Sequence, residues 1–186
     1  STDKVHLVPF GEYLPFSDWL SRLGLRQFVP SPGIFTAGDR YQFLTVPGLD
    51  KVQALICYES IFPAAMTKAG YRPSLFINLT NDAWFGFSPG PYQHFAQARL
   101  RSIEEGVPLI RSANGGLSAV IDPYGRLIAG MRLGETGAFT SSLPQPIDPP
   151  LFAILGLASP LILMLLFMLP ALYDLAVKPP YQRFSR

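Results

Sequence analysis

Cysteine is almost absent from this chain of 186 residues: Cys57 stands alone, and there are only two histidines, His6 and His94. One cysteine forms no internal disulfide. Two histidines set far from it in sequence offer no metal-ligand spacing, and no cofactor is expected. Charge is scarce as well. The formal net charge is +2, charged residues make up 15% of the chain, and no basic run stands out. That removes the electrostatic footprint of a nucleic-acid binder. The redox compartment stays open, because an oxidising space does not require disulfides. The chain opens on Ser1 rather than Met, and its first residues already form a motif, so a longer parent protein is expected.

Apolar residues are what the chain has in excess, 48% of the total. They concentrate in LFAILGLASPLILMLLFMLPALY, residues 151–173, with no charge between Asp148 and Asp174. Crossing a bilayer takes about 20 apolar residues, so a transmembrane helix is expected over 151–173, bent at Pro160 and Pro170. A core helix of that length would carry a polar face. The run is at the wrong end for a signal peptide. Lys178, Arg183 and Arg186 follow it, while SSLPQPIDPP before it holds no base. The positive-inside rule then places the tail, 174–186, in the cytoplasm and everything before the run outside. Residues 144–150 read as a Pro-rich linker and 1–143 as the folded domain.

KVQALIC, 51–57, reads as a buried strand, and SIFPAAMTKAG, 60–70, as a helix capped by Ser60 and stopped by Gly70. SLFINLT, 74–80, reads as a second strand, and NDAWFGFSPGP as an aromatic loop. A helix is expected from Tyr92 to Glu105, with Ala96, Leu100, Ile103 and Val107 on its inner face. VPLIRSA, GLSAVID and RLIAGM read as strands, the last two joined by a type I turn at Asp122-Pro123-Tyr124-Gly125. The sum is an α/β domain with helices covering sheets. Tyr13 to Phe35 is apolar with few charges. Trp19, Leu20, Leu23 and Phe28 there form either a lipid-facing surface or an ordinary packed loop and helix.

A strand that ends in a cysteine and turns straight into a helix makes a nucleophile elbow. The first N–H groups of the helix, at Tyr58 and Glu59, favour a thiolate and can bind an oxyanion. Glu59 opposes the thiolate through its own charge. By itself, a cysteine at a strand end is more often a small core residue than a nucleophile. Lys4 could supply the cation that acyl transfer needs, or be an ordinary solvated lysine. Glu12 could equally be a surface carboxylate or an ordinary ion-pair partner.

HLVPFGEYLPF, ICYESIFP, NLTNDAWFG and GPYQHFAQARLRSIEEGVPLIRSANGGLSAVIDPYG together resemble the nitrilase, or C–N hydrolase, superfamily, and within it the membrane-bound apolipoprotein N-acyltransferase branch. The resemblance implies a four-layer αββα sandwich, of which this chain is the second half, followed by the transmembrane helix. It implies a Glu-Lys-Cys triad with Cys57 as nucleophile and Lys4 as the lysine. Glu12 matches the glutamate that holds the lysine, Tyr58 and Glu59 match functional residues beside the cysteine, and Trp84 matches an aromatic near the site. The general-base glutamate belongs on an earlier strand, where only Ser1-Thr2-Asp3 stand, so it is expected in a segment preceding Ser1. The implied reaction takes a fatty acyl chain from a phospholipid, holds it as a Cys57 thioester, and passes it to the α-amino group of a diacylglyceryl-cysteine apolipoprotein. The implied setting is the inner membrane of a Gram-negative bacterium, with the site facing the periplasm.

Two other readings stay open. A tethered amidase or nitrilase would use the same triad on small amides, with water as acceptor, and release ammonia. A non-catalytic domain would bind lipids or lipoproteins without chemistry, and the missing glutamate is the feature that favours it.

Overall fold

The computed structural model describes residues 1–13, 15–16, 22, 35–63 and 72–177. Six strands form one mixed sheet in sequence order: β1 (Phe43–Val46), β2 (Leu49–Ile56), β3 (Leu75–Asn81), β4 (Leu109–Asn114), β5 (Ser118–Ile121) and β6 (Leu127–Met131). β2, β3 and β4 run parallel at the centre, and β1, β5 and β6 pair antiparallel on the flanks. The parallel strands explain the unbroken apolar runs in the sequence, because a central parallel strand is covered on both faces. The Asp122–Gly125 turn forms as expected: Gly125 N–H donates to Asp122 O, and the Asp122 carboxylate accepts from the Tyr124 and Arg126 N–H groups.

The crossover from β3 to β4 is α1 (Gly90–Glu105). It packs on the sheet face carrying Leu55, Phe76, Leu109, Ala119 and Ile121, which form the core with Ala98 and Val107. The expected inner face of this helix is corrected. Leu100 and Ile103 are exposed, and the buried side chains are Pro91, His94, Ala98, Arg101, Ser102 and Glu105. Apolar spacing pointed to the wrong side because His94 and Arg101 find partners at the elbow, Cys57 O and Ile61 O. The other sheet face is unevenly covered: Leu75 is buried, Ile77 half-buried, and Leu79 is 51% exposed.

The helix expected over 60–70 begins instead as a 3-10 turn, Cys57–Ile61, and residues 64–70 lie outside the described set. Trp19, Leu20, Leu23 and Phe28 also lie outside it.

The apolar run is not one helix. It divides at Gly156 (φ 55°) into α2 (Leu151–Leu155) and α3 (Ala158–Val177). In an unbroken helix the Pro160 ring would collide with the carbonyl four residues earlier, that of Gly156. That carbonyl accepts instead from Ser159 N–H and Ser159 Oγ–H, at 3.1 and 2.8 Å. Among the described residues, no helix is long and apolar enough to cross a membrane. Ahead of α2, the linker is tied to the domain: Ile147 N–H donates to Gly106 O at 3.0 Å.

Candidate active site

β2 ends at Ile56, and Cys57 follows with φ 53°, in the left-handed region that an L-residue enters only at a cost of about 1–2 kcal/mol. The chain then winds into the 3-10 turn, whose N-terminal N–H groups have no partner inside the turn. This is the elbow expected from ICYES, and Cys57 as a residue is half-buried.

Glu59 is 1% exposed, and its carboxylate is the clamp of the site. Oε2 accepts from Ile56 N–H at 2.6 Å, reaching back as the N3 residue of a capping box does. Oε1 accepts from Val5 N–H at 2.6 Å and His6 N–H at 3.2 Å. One carboxylate therefore joins the residue after Lys4 to the residue before Cys57, although they are far apart in sequence. Three charge-assisted hydrogen bonds offset the desolvation of its charge.

Lys4 Nζ donates to both Glu12 oxygens at 2.7 Å, and Glu12 Oε2 also accepts from Val8 N–H at 2.8 Å. Lys4, Glu12 and Ile56 line a pocket of about 560 Å³. Tyr58 lines a second pocket, about 590 Å³, with His6, Tyr13 and Phe62, and it shares Leu7 and Phe35 with the first. Tyr58 meets Phe62 edge-on at 5.1 Å. His6 Nδ1 lies 2.7 Å from Tyr41 OH, whose pKa is pushed up by burial and, secondarily, by the charge of Glu59.

Trp84 sits in a 3-10 turn, Asp82–Phe85, and is 66% exposed; Phe87 is fully exposed beside it. Lys4 and Glu12 thus line one pocket and Tyr58 the other, Cys57 stands in the chain between Ile56 of the first and Tyr58 of the second, and Glu59 ties the Lys4 segment to the elbow. Trp84 lines neither pocket; its turn reaches the elbow through Asp82 and Phe85, which face His94.

Those residues were not picked out from sequence. Under the elbow lies a buried polar cluster of Asn78, Asp82, His94 and Arg111. Asp82 Oδ2 accepts from Arg111 Nη2 at 2.6 Å, and Oδ1 accepts from Thr80 Oγ1 at 3.0 Å and faces His94 Nδ1 at 2.8 Å. Arg111 also donates to Asn78 Oδ1, and Asn78 Nδ2 donates to Leu55 O at 2.8 Å. Burial alone would raise the Asp82 pKa. The His94 hydrogen bond and the Arg111 charge more than offset it, so the carboxyl lies below its ordinary value. The available signal was an arginine inside an apolar strand, in VPLIRSA, which needs a buried anion. Among the described residues, no group of three or more His, Cys, Asp or Glu is placed to hold a metal ion.

The carbon-nitrogen hydrolase family model matches residues 1–145. An apolipoprotein N-acyltransferase of Bradyrhizobium diazoefficiens is 51% identical over 154 residues, covering 83% of this chain and 29% of its own length. One from Brucella melitensis is 53% identical over 149 residues, 80% of this chain and 28% of its own. One from Rhodopseudomonas palustris is 46% identical over 178 residues, 96% and 33% respectively. The chain spans about three-tenths of the length of these relatives. Among solved structures, a CN-hydrolase superfamily protein from Xanthomonas campestris aligns at TM-score 0.49 and 20% identity, covering 73% of this chain and 49% of that one.

Proposed function

This chain belongs to the carbon-nitrogen hydrolase family, and from that premise we propose that it is the C-terminal part of an apolipoprotein N-acyltransferase, with Cys57 as the acyl carrier. The observation that carries the reading is the Glu59 clamp, which sets the Lys4 segment against the elbow while Glu12 holds the ammonium group. That relatives at about 50% identity are apolipoprotein N-acyltransferases supports the choice of acyl transfer within the family.

The scheme balances in two steps. The Cys57 thiolate attacks the ester carbonyl of a phospholipid. Lys4 Nζ and Tyr58 N–H stabilise the oxyanion. The C–O bond breaks, and the lysophospholipid alkoxide takes the proton that the thiol gave to a glutamate upstream of Ser1. The α-amino group of a diacylglyceryl-cysteine then attacks the thioester, an amide C–N bond forms, the C–S bond breaks, and the amine proton returns to that base. Tyr58 and its aromatic pocket border the acyl chain, and the exposed Trp84 and Phe87 face the entrance.

The reading extends to the surroundings. The half-exposed Leu79 side of the sheet is where the second sheet of a four-layer αββα sandwich would pack. α3 exposes Leu161, Leu163, Leu165 and Phe167 as well as Ile162 and Leu166, apolar on every side, which suits a lipid environment and not water. We place this run at the bacterial inner membrane, with the catalytic domain on the periplasmic side.

The test uses the full-length protein and a phospholipid labelled in its acyl chain. A hydroxylamine-labile adduct is expected on wild type and not on Cys57→Ser. Label retained by Cys57→Ser, or ammonia released from simple amides without any thioester, would refute the proposal.

A further inference from the structure

The polar cluster under the elbow has no part in the acyl-transfer scheme, yet it buries three charged or ionisable side chains. His94 is 4% exposed. Its Nδ1 lies 2.8 Å from Asp82 Oδ1, while its Nε2 lies 3.2 Å from Cys57 O and 3.0 Å from Ser60 Oγ. A carboxylate held by Arg111 only accepts, so Nδ1 donates to it. Nε2 is thus within hydrogen-bond reach of the Cys57 carbonyl, which only accepts, and of Ser60 Oγ, which can do either. Ser60 Oγ donates in turn to the same Cys57 carbonyl, at 3.2 Å. The other groups facing the ring are Arg111, whose Nη2 is 3.2 Å from Nδ1, and the Phe85 ring, edge-on at 5.7 Å.

We propose that His94 is the positioning residue for Cys57. Anchored on Asp82, it grips the cysteine's own carbonyl and keeps that peptide in the left-handed conformer that aims Sγ and Tyr58 N–H at one point. The need for a grip is physical: an L-cysteine does not hold φ 53° unassisted, and glycine, which would, has no thiol. Two turns further along the same helix face, Arg101 Nη1 donates to Ile61 O at 2.9 Å. α1 therefore holds both ends of the 3-10 turn. The inference rests on the reading of Cys57 as the nucleophile.

Two near-isosteric variants of the full-length protein separate position from packing. In His94→Gln the amide nitrogen reaches the place of Nε2; in His94→Asn it reaches only that of Nδ1. Two rates are measured: iodoacetamide alkylation of Cys57, followed on its peptide by mass spectrometry, and thioester formation from labelled phospholipid in a single turnover. The expected result is a loss of about a hundredfold for His94→Asn, the scale of roughly 1 Å of misplacement at a reacting atom. KM for phospholipid stays unchanged, and His94→Gln recovers at least about tenfold of the lost rate. Equal rates in the two variants, or a wild-type rate in His94→Asn, overturn the inference and leave the nucleophile assignment standing. Label surviving in Cys57→Ser removes that assignment, and this inference with it.

Discussion

Glu59→Gln keeps the size of the side chain but leaves one oxygen to do the work of two. It can serve Val5 and His6 or Ile56, and its NH2 group then faces an N–H donor. The expected cost is about 1–3 kcal/mol for the donor left unpaired, read as a shift in the denaturant midpoint. Acylation should fall with it, because the Lys4 segment is no longer tied to the elbow. Lys4→Arg is expected to fail as a replacement. A planar guanidinium fits the Glu12 fork but cannot present a compact ammonium to an oxyanion. A loss of about 10²–10³-fold in single-turnover thioester formation is the scale for one oxyanion donor. Activity within threefold of wild type would remove Lys4 from that role. At this scale the sequence was informative about which residues matter and silent about how. CYES flags Glu59 as a neighbour of the thiol, but two of its three partners stand 53 and 54 positions away.

Strands were legible because their cause is local. An apolar run bounded by turn formers reads as a buried strand wherever it sits, and LFINLT and KVQALI became β3 and β2 within a residue or two of expectation. α1 was legible in extent and misread in orientation, since which face is buried depends on what faces it. Leu55→Ala, in the core against this helix, should cost about 2–5 kcal/mol by calorimetry or denaturant titration. Gly106 ends α1 at φ 63°, and a Cβ there would come within 2.7 Å of Pro150 and 2.8 Å of Arg72. Gly106→Ala should therefore cost more than the about 1–2 kcal/mol typical of a left-handed position, and it should loosen residues 144–150 from the helix end. Increased proteolysis between 140 and 150 is the corresponding readout.

The whole molecule should show acid sensitivity centred on Asp82. Its folded pKa lies below the unfolded value of about 3.9, so its stabilisation is complete above about pH 5 and is lost as pH falls through the folded pKa. In Asp82→Asn, that limb of the stability–pH curve should flatten. Stability at neutral pH should drop by about 3–5 kcal/mol, because Arg111 is left buried without its anion. An unchanged acid limb would mean that another carboxylate controls it. What the sequence determined alone was everything with a cause inside a few residues: the central strands, the cysteine at a strand end, the Asp-Pro-Tyr-Gly turn, the apolar run. Tertiary structure decided which charges go inside, that Glu59 is a clamp, that α1 turns His94 and Arg101 inward, and that the apolar run breaks at Gly156. A buried charge is stable only beside partners that desolvate with it, and here those partners come from strands, turns and a helix that meet only once the chain has folded.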